Sequence, residues 1–321
     1  MLALLAMGAA PFVAKAQTAG KIPKVGVLWH DASAEAEGPF FTGLIEGFRK
    51  LGYVDGRNIV LEHRFPNEVP ERFASMAAEL VAAKVDVLIG VGSAASQHVK
   101  NATSTIPIVF MYVPDPVRSK LIESLGRPGG NATGLTNSGA DLIGLRLQFL
   151  KEFVPALSRV ALLVNPNIPI ARTYIEEGQA AGAKLRLQVV PYEAGSLEQL
   201  KSAFDAMVKA RVQAVSSTSD GLFYQGRVPM AKLALERRLP LIVPTRELLV
   251  DGALMSYGPD HVAIARRTPV LVDKILKGTK PADIPVEQPT RFEFLISAKT
   301  VQALGMKIPP ALLTRADEVI K

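Results

Sequence analysis

The feature that most constrains this sequence is an alternation of short apolar strands with amphipathic helices along nearly its whole length. Val25–Trp29 has the composition of a buried strand. Apolar residues then recur at helical spacing from Phe41 to Leu51, and Gly52 follows, where a helix end favours a left-handed residue. Strands joined through helices pair in parallel, with helices covering both faces of the sheet. The order therefore predicts an α/β fold with parallel sheets.

The same series begins again halfway along the chain. Val25 corresponds to Val160, and Val85 corresponds to Val212, at a nearly constant offset. Such an offset predicts two Rossmann-like lobes of one design. Only Pro155–Ser158 separates the two halves, without a flexible Gly/Ser linker, so the lobes are expected to be joined by a short, stiff hinge.

The last part of the chain breaks the alternation, and we expect it to return to the two lobes. A helix over 262–277 is predicted to pack on lobe one, and the stretch 286–321 is predicted to pack on lobe two, which makes three crossings. The predicted division is a signal peptide over 1–16, lobe one over 17–155 and 258–284, and lobe two over 156–257 and 285–321.

Residues 1–16 are apolar and small, and Ala14-Lys15-Ala16 before Gln17 matches the small-x-small pattern of signal peptidase sites. The segment is too short to span a membrane as a permanent helix. The pattern predicts export to a periplasm. The sequence has no cysteine, so disulfides, cysteine-bound zinc and an acylated cysteine anchor are not expected.

Charge and histidine placement argue against several other functions. The net charge is +7, but basic and acidic residues are interspersed and no basic run occurs, so no nucleic-acid partner is expected. The four histidines lack the spacing of metal ligands, and no Ser/His/Asp set is apparent. We expect no metal, no cofactor and no catalytic residues.

One motif keeps an enzyme open as an alternative. Gly90-x-Gly92-x-x-Ala95 follows a strand and opens a helix, and Asp115 stands at the end of the next strand, as in an NAD-dependent oxidoreductase. The motif lies on the third strand of its lobe, however, and prolines flank Asp115. Independently of NAD, the motif predicts an anion site, because a glycine turn at a helix N-terminus presents free backbone N–H groups beside Ser93.

Polar residues stand just past the strand ends in both halves, where open α/β sheets bind ligands. A ligand carboxylate is expected at the Gly92–Ala94 turn and a ligand amine at Asp220, for which a helix cap is the alternative role. The candidate ligand-binding residues are Trp29, Asp31, Ser93, Ala94, Tyr112, Asp115, Thr136 and Asn137 in lobe one, and Asn165, Asn167, Ser219, Asp220, Thr245, Arg246 and Tyr257 in lobe two.

About 300 residues in order resemble the ABC-transporter substrate-binding proteins related to bacterial tryptophan and tyrosine importers. The stretches that carry the resemblance include KVGVLW at 24–29, FTGLIEGFRKLGYVDGRNI at 41–59, AAELVAAKVDVLIGVGS at 77–93, ATSTIPIVFMYVPDPV at 102–117, RPGGNATGLTN at 127–137, LLVNPN at 162–167, GALMSYGPD at 252–260, VDKILKGTKPADIPVEQPTRFEFLIS at 272–297 and LGMKIPPALLTRADEVI at 304–320.

The resemblance implies a type I periplasmic binding fold, in which the ligand lies in the cleft between lobes. It also implies a receptor that passes a small molecule to an inner-membrane ABC permease and its ATPase. We expect the receptor to be a monomer. We expect the ligand to be an amino acid or a related carboxylate. A ligand-sensing subunit of a signalling system remains the other non-enzymatic alternative.

Overall fold

The computed structural model describes residues 21–250 and 252–321, so the predicted signal peptide lies outside the described residues. Two sheets form within these ranges. The first sheet has five parallel strands in the order β2-β1-β3-β4-β5. Its strands are β1 (Lys24–Leu28), β2 (Val60–Arg64), β3 (Val87–Val91), β4 (Ile108–Val113) and β5 (Ala132–Thr136).

The second sheet has seven strands among the described residues, in the order β12-β11-β10-β9-β8-β6-β7. All neighbours pair in parallel except β10 and β11, which are antiparallel. Its strands are β6 (Arg159–Val164), β7 (Gln188–Glu193), β8 (Ala214–Ser217), β9 (Leu241–Val243), β10 (Met255–Pro259), β11 (Phe292–Ser297) and β12 (Glu318–Ile320). The predicted two-lobed α/β fold is thereby confirmed.

Helices cover both sheets. The helices are α1 (Ala34–Glu37), α2 (Pro39–Lys50), α3 (Pro70–Ala82), α4 (Gly92–Ala102), α5 (Ile143–Phe153), α6 (Ala171–Leu185), α7 (Leu197–Lys209), α8 (Gly221–Gln225), α9 (Arg227–Glu236), α10 (His261–Leu276), α11 (Ala298–Ala303) and α12 (Pro310–Arg315). Proline starts α2, α3 and α12, where its fixed φ fits the first turn and its missing N–H costs nothing.

Helix α10 follows the second sheet in the chain but packs on the first, against α2 and β4. Two glycines of α2 allow the close approach. A Cβ at Gly43 would press on Val262, and a Cβ at Gly47 would overlap the backbone carbonyl of Arg266. Small residues at these two positions therefore bring the backbones of α2 and α10 into contact.

The chain passes between the lobes three times in the described ranges, at 137–142, at Asp260 and at 288–291. The predicted division at Pro155–Ser158 is one helix too late, because α5 packs on α6 and β8 of the second lobe. Helical periodicity marks an apolar face without saying which sheet covers it.

The two later boundaries also differ slightly from the predicted ones. Strand β10 continues to Pro259 in the second sheet. The stretch 284–287 stays with the first lobe, since Thr133 Oγ1 donates to the carbonyl of Ile284 and Glu287 N–H donates to Gly134.

Arg146, on α5, is fully buried beside two of these crossings. Its Nε donates to the carbonyl of Tyr257 at 2.9 Å, and an Nη donates to the carbonyl of Gly139 at 3.3 Å. Burial lowers the pKa of Arg146 to about 10. The guanidinium therefore ties the first crossing to the strand that leads into the second.

Candidate functional site

A cleft lies between the lobes at the carboxyl ends of their parallel strands, where this class of sheet binds ligands. It contains two small adjoining chambers. They share a wall made of His30, Gly92, Ser93, Asp220 and Gly221. Chamber one is lined further by Phe40, Tyr112, Ser219, Tyr224, Pro244, Thr245, Leu248 and His261. Chamber two adds Glu68, Pro70, Phe73, Val91, Ala94, His98, Asn165, Asn167, Ile168, Gly195 and Leu222.

The glycine turn of the first lobe enters the shared wall. Gly92 has φ +80°, a conformation that residues with a side chain rarely adopt, and it starts α4 directly after β3. The first N–H groups of a helix have no partner inside the helix, and the helix dipole adds partial positive charge there. With the Ser93 hydroxyl beside them, these groups are suited to a carboxylate.

Aromatic rings surround chamber one. The ring of Phe40 lies 5.2 Å from that of Tyr112 and 4.8 Å from that of Tyr224, between centroids. Tyr112 stacks on His261 at 4.7 Å, and its hydroxyl donates to the His261 carbonyl at 2.7 Å. Burial lowers the pKa of His261 to about 3, so its imidazole is neutral at physiological pH. The chamber therefore offers flat, uncharged surfaces.

Asp220 brings a carboxylate to the shared wall from the second lobe. It is the N-cap of α8, where its Oδ1 accepts from Leu222 N–H at 3.1 Å and from Asn165 Nδ2 at 2.8 Å. Burial raises the pKa of Asp220 in spite of these hydrogen bonds. The capping role is thus present, and the same carboxylate also faces the cleft.

The first lobe adds more carboxylates close by. Glu37 is fully buried and accepts the backbone N–H groups of His30 and Asp31 at 3.0 and 2.8 Å. The His30 imidazole lies between Glu37 and Glu68, with Nε2 3.3 Å from Glu37 Oε2 and Nδ1 3.5 Å from Glu68 Oε1. Burial raises the pKa of Glu37, and burial together with Asp220 raises that of Glu68 well above its usual range.

Hydrogen bonds join the two lobes across the cleft, so the structure has the closed arrangement. Asn137 Nδ2 donates to Ser219 Oγ at 2.9 Å. Gln225 Nε2 of lobe two donates to Asn67 Oδ1 at 2.6 Å and to Asp31 Oδ1 at 3.2 Å. These contacts form only while the lobes are together.

Most of the predicted binding residues meet at this cleft. Ser93, Ala94, Tyr112, Asn165, Asn167, Ser219, Asp220 and Thr245 line one or both chambers. Asp31 and Asn137 do not line a chamber, but they make the hydrogen bonds between lobes described above.

Two predicted residues belong to packed cores instead. Trp29 is fully buried, stacks on Phe65 at 6.1 Å and donates from its indole N–H to His63 Nδ1 at 3.0 Å. Tyr257 packs among aromatic rings of lobe two, at 5.0 Å from Phe149. Trp29 follows β1 and Tyr257 lies in the middle of β10, and both side chains point into the layers between sheet and helices.

Three further predicted residues face away from both chambers. Asp115 accepts the N–H groups of Val117 and Arg118 in a turn. The hydroxyl of Thr136 donates to the Pro114 carbonyl at the hinge side of lobe one. Arg246 is exposed and pairs with Glu293 and Glu318. Each serves a local turn, hinge or surface contact.

Several cleft residues escaped the sequence analysis. No sequence pattern singled out Phe40 or Tyr224, and His261 was one of four histidines without metal-ligand spacing. Glu68 stands in an irregular loop after β2, where no periodicity applies. Of these residues, only His30 could have been chosen because it follows the end of a strand, since it stands between Trp29 and Asp31.

The geometry gives no support to a dinucleotide site at the glycine turn. Gly90 is required by packing, because a Cβ there would overlap the backbone of Ser96 in α4. Asp115, the expected ribose partner, caps its own turn and does not face the cleft. The free N–H groups of the turn are still suited to an anion.

No helix among the described residues is long and apolar enough to cross a membrane. Likewise, no group of three or more acidic or histidine side chains there is arranged to hold a metal ion.

Two α/β lobes, three crossings and a polar, ring-lined cleft define the class of hinged ligand-binding proteins. The model of the ABC transporter substrate binding protein family matches residues 25–320. The chain belongs to that family, whose members bind a small molecule for an ABC transporter.

Relatives agree with this assignment. The Tyrosine-binding protein of Clostridioides difficile (strain R20291) is 26% identical over 266 residues, which are 83% of this chain and 76% of the relative. A crystal structure of a conserved domain protein from Vibrio cholerae has 27% identity and a TM-score of 0.88, covering 93% of this chain and 100% of that one. The ABC domain in complex with L-Trp from Streptococcus pneumonia has 25% identity and a TM-score of 0.86, covering 93% and 99%.

Proposed function

We propose that this protein captures an aromatic amino acid in the cleft and delivers it to an ABC importer. The single observation that carries the proposal is the shared wall. There the Gly92–Ser93 turn, suited to a carboxylate, stands opposite Asp220, suited to an ammonium group, beside the ring-lined chamber one. An amino acid with an aromatic side chain presents these three features in the same arrangement.

The named relatives support the ligand class, because one is a tyrosine-binding protein and another was solved with L-Trp. In chamber one, the rings of Phe40, Tyr112 and Tyr224 pack on one another and line the wall, where they can contact an aromatic ring of the ligand. The Thr245 hydroxyl in the same chamber is buried without a hydrogen-bond partner, so a polar ligand atom can pair with it.

The remaining parts of the proposal follow from the role of a receptor. The protein acts as a monomer in a periplasm, docks in its closed form on an inner-membrane permease with its ATPase, and catalyses no reaction. Support for export comes from the Ala14-Lys15-Ala16 pattern. Support for a binding role comes from the family and from a cleft that two hinged lobes complete.

Calorimetric titration tests the ligand. L-tyrosine, L-tryptophan and L-phenylalanine are expected to bind, and L-alanine is expected to bind at least about a hundredfold more weakly, because it leaves the rings uncovered. Equal affinity for alanine, or binding of none of the four, would refute the ligand class. The Asp205→Ala variant, on the outer surface of lobe two, serves as a control and should bind like the unmodified protein.

Mass spectrometry of the exported protein tests the location. A mature chain that begins at or near Gln17 is the expected result. Secreted protein that retains residues 1–16 would overturn the cleavage site.

A further inference from the structure

The loop after β2 places a strained pair of residues against the opposite lobe. Asn67 and Glu68 both have positive φ, 58° and 52°, although neither is glycine. Their N–H groups donate to the carbonyls of Asp31 at 3.1 Å and His30 at 2.8 Å, which hold the loop in this conformation. Strained non-glycine residues of this kind persist where surrounding contacts fix them, and they concentrate at functional sites.

Glu68 reaches the N-terminal end of α8 in lobe two. Its side chain is only 11% exposed, and a Cβ at Gly221 would overlap Glu68 Oε1. Glycine at this position is therefore what allows the carboxylate to lodge there. Asp220, the neighbouring residue, faces the same wall of chamber two, so two carboxylates from different lobes meet when the cleft closes.

The charges around this meeting point are mostly negative. The loop after β1 supplies His30 and Asp31, α1 supplies Glu37, and the N-cap of α8 is Asp220. His30 is the only ion-pair partner of Glu37 and Glu68 within 4 Å among the described residues. One imidazole faces four carboxyl groups. His98, on α4, lines the far side of chamber two, and Glu71, at the start of α3, is exposed.

We propose that Glu68 and Asp220 form a latch that needs a positive charge in order to close, supplied either by the ammonium group of the ligand or by a proton. Ionised carboxylates brought together away from water repel each other, and a cation or a proton removes that cost. Glu68 thus selects for ligands with a protonated amine. The ligand part of this inference rests on the proposed function, whereas the proton part does not.

The distance between the lobes tests the proton part without any ligand. The chain has no cysteine, so Arg72→Cys and Pro169→Cys can carry a pair of fluorescent labels on exposed sites flanking chamber two. In the ligand-free protein, the labels should approach as the pH falls from 8 to 5. With Glu68→Gln they should already be close at pH 8, and with Glu71→Gln they should behave as in the unmodified chain. A label distance that depends on neither pH nor Glu68→Gln would overturn the latch.

Gly221→Ala provides a second test that does not change charge. The added methyl group occupies the place of the Glu68 carboxylate, so this flexible side chain must turn away from Asp220, and closure should lose its dependence on pH. The melting temperature should remain near that of the unmodified protein. Gly126→Ala is the matched control, because a Cβ at that glycine meets nothing within 4 Å. A pH dependence of closure in Gly221→Ala equal to that of the unmodified protein would contradict the proposed contact.

Titration with an amine-free analogue tests the ligand part. At pH 8, L-tyrosine should bind at least about tenfold more tightly than 3-(4-hydroxyphenyl)propionate, and Glu68→Gln should reduce that preference severalfold. An unchanged preference in Glu68→Gln would refute selection by Glu68. If the unmodified protein binds no amino acid, the proposed function fails, and the label distances still decide whether the latch exists.

Discussion

The two lobes share one design but differ in the backbone conformation of the residues at the cleft. In lobe one, Asn67, Glu68 and Tyr112 are non-glycine residues with positive φ at the cleft, while Lys84, just after α3, and Lys120 have positive φ away from it. In lobe two, such residues lie just beyond helix ends, at Arg186, Arg211 and Arg238. A left-handed residue after a helix is routine, whereas one beside a ligand site is not.

The difference suggests a division of labour between the lobes. Lobe one fixes its contacts before the ligand arrives, at a cost of about 1–3 kcal/mol for each strained residue. Lobe two presents Asp220 between the end of a regular strand and the start of a helix that it caps. Its contacts with the ligand form when the lobe closes on lobe one. Ligand affinity should therefore be sensitive to backbone strain in lobe one and to side-chain charge in lobe two.

The largest expected effect is that of Asp220→Ala in lobe two. Loss of a carboxylate that pairs with a ligand amine should cost on the order of 2–5 kcal/mol of affinity, about thirtyfold or more. The lost cap should lower the stability of the ligand-free protein by only about 1 kcal/mol. Calorimetric titration beside melting curves checks both numbers. A variant that binds normally would remove Asp220 from the site and leave it a cap alone.

The next effect concerns pH and involves both lobes. Burial raises the pKa of Glu37, Glu68 and Asp220, so the folded ligand-free protein holds protons that the unfolded chain releases. Their contribution to stability should therefore rise as the pH falls from 8 to 6.5, and it should be lost as the pH rises through the raised pKa values. Each unit of difference is worth about 1.4 kcal/mol. Below about pH 6.5 the buried, neutral His261 opposes this gain, because the histidine takes up a proton only in the unfolded chain. Melting temperatures at pH 8 and 6.5 check the sign, and a fall on acidification over this range would contradict it.

Asn67→Gly tests the strained edge of lobe one. Glycine adopts the observed φ without strain but loses the hydrogen bond to Gln225, so affinity should fall about fivefold while the stability of the ligand-free protein stays level or rises. Titration and melting of the same preparation separate the two effects. Unchanged affinity would show that the loop does not contribute to closure.

The smallest effect is expected from Arg211→Gly in lobe two. This exposed residue has φ 56° just after α7, and glycine there should stabilise the protein by about 0.5 kcal/mol. Ligand affinity should not change, because the position is remote from the cleft. A measurable loss of affinity would undermine the contrast between the lobes.

The sequence was informative about regular elements and less so about side-chain direction. The strand and helix alternation, its duplication and the family resemblance predicted the two lobes, and the strand-end rule found Ser93 and Asp220. The same rule also chose Trp29, because alternation along a strand does not say which face is covered at its last residue. Trp29 turns toward Phe65 and the helix layer.

Two other features could not be read from the sequence. The apolar face of α5 is compatible with packing on either lobe. Only its contact with α6 in the folded protein decides which sheet it covers. Glu68 lies in an irregular loop, and its role depends on Gly221, which is far away in the chain and close only after folding. Local sequence patterns carry no information about a contact between residues so far apart in the chain.

Arg146 has a consequence for how the protein behaves in changing salt. Its acceptors are backbone carbonyls, which carry no net charge and do not titrate, and it is shielded from counterions. The exposed pair Arg118–Glu177, which joins the lobes at their rim, is by contrast open to screening. The rim contact should weaken as the salt concentration rises and strengthen as it falls. The axis about which the lobes swing should stay the same.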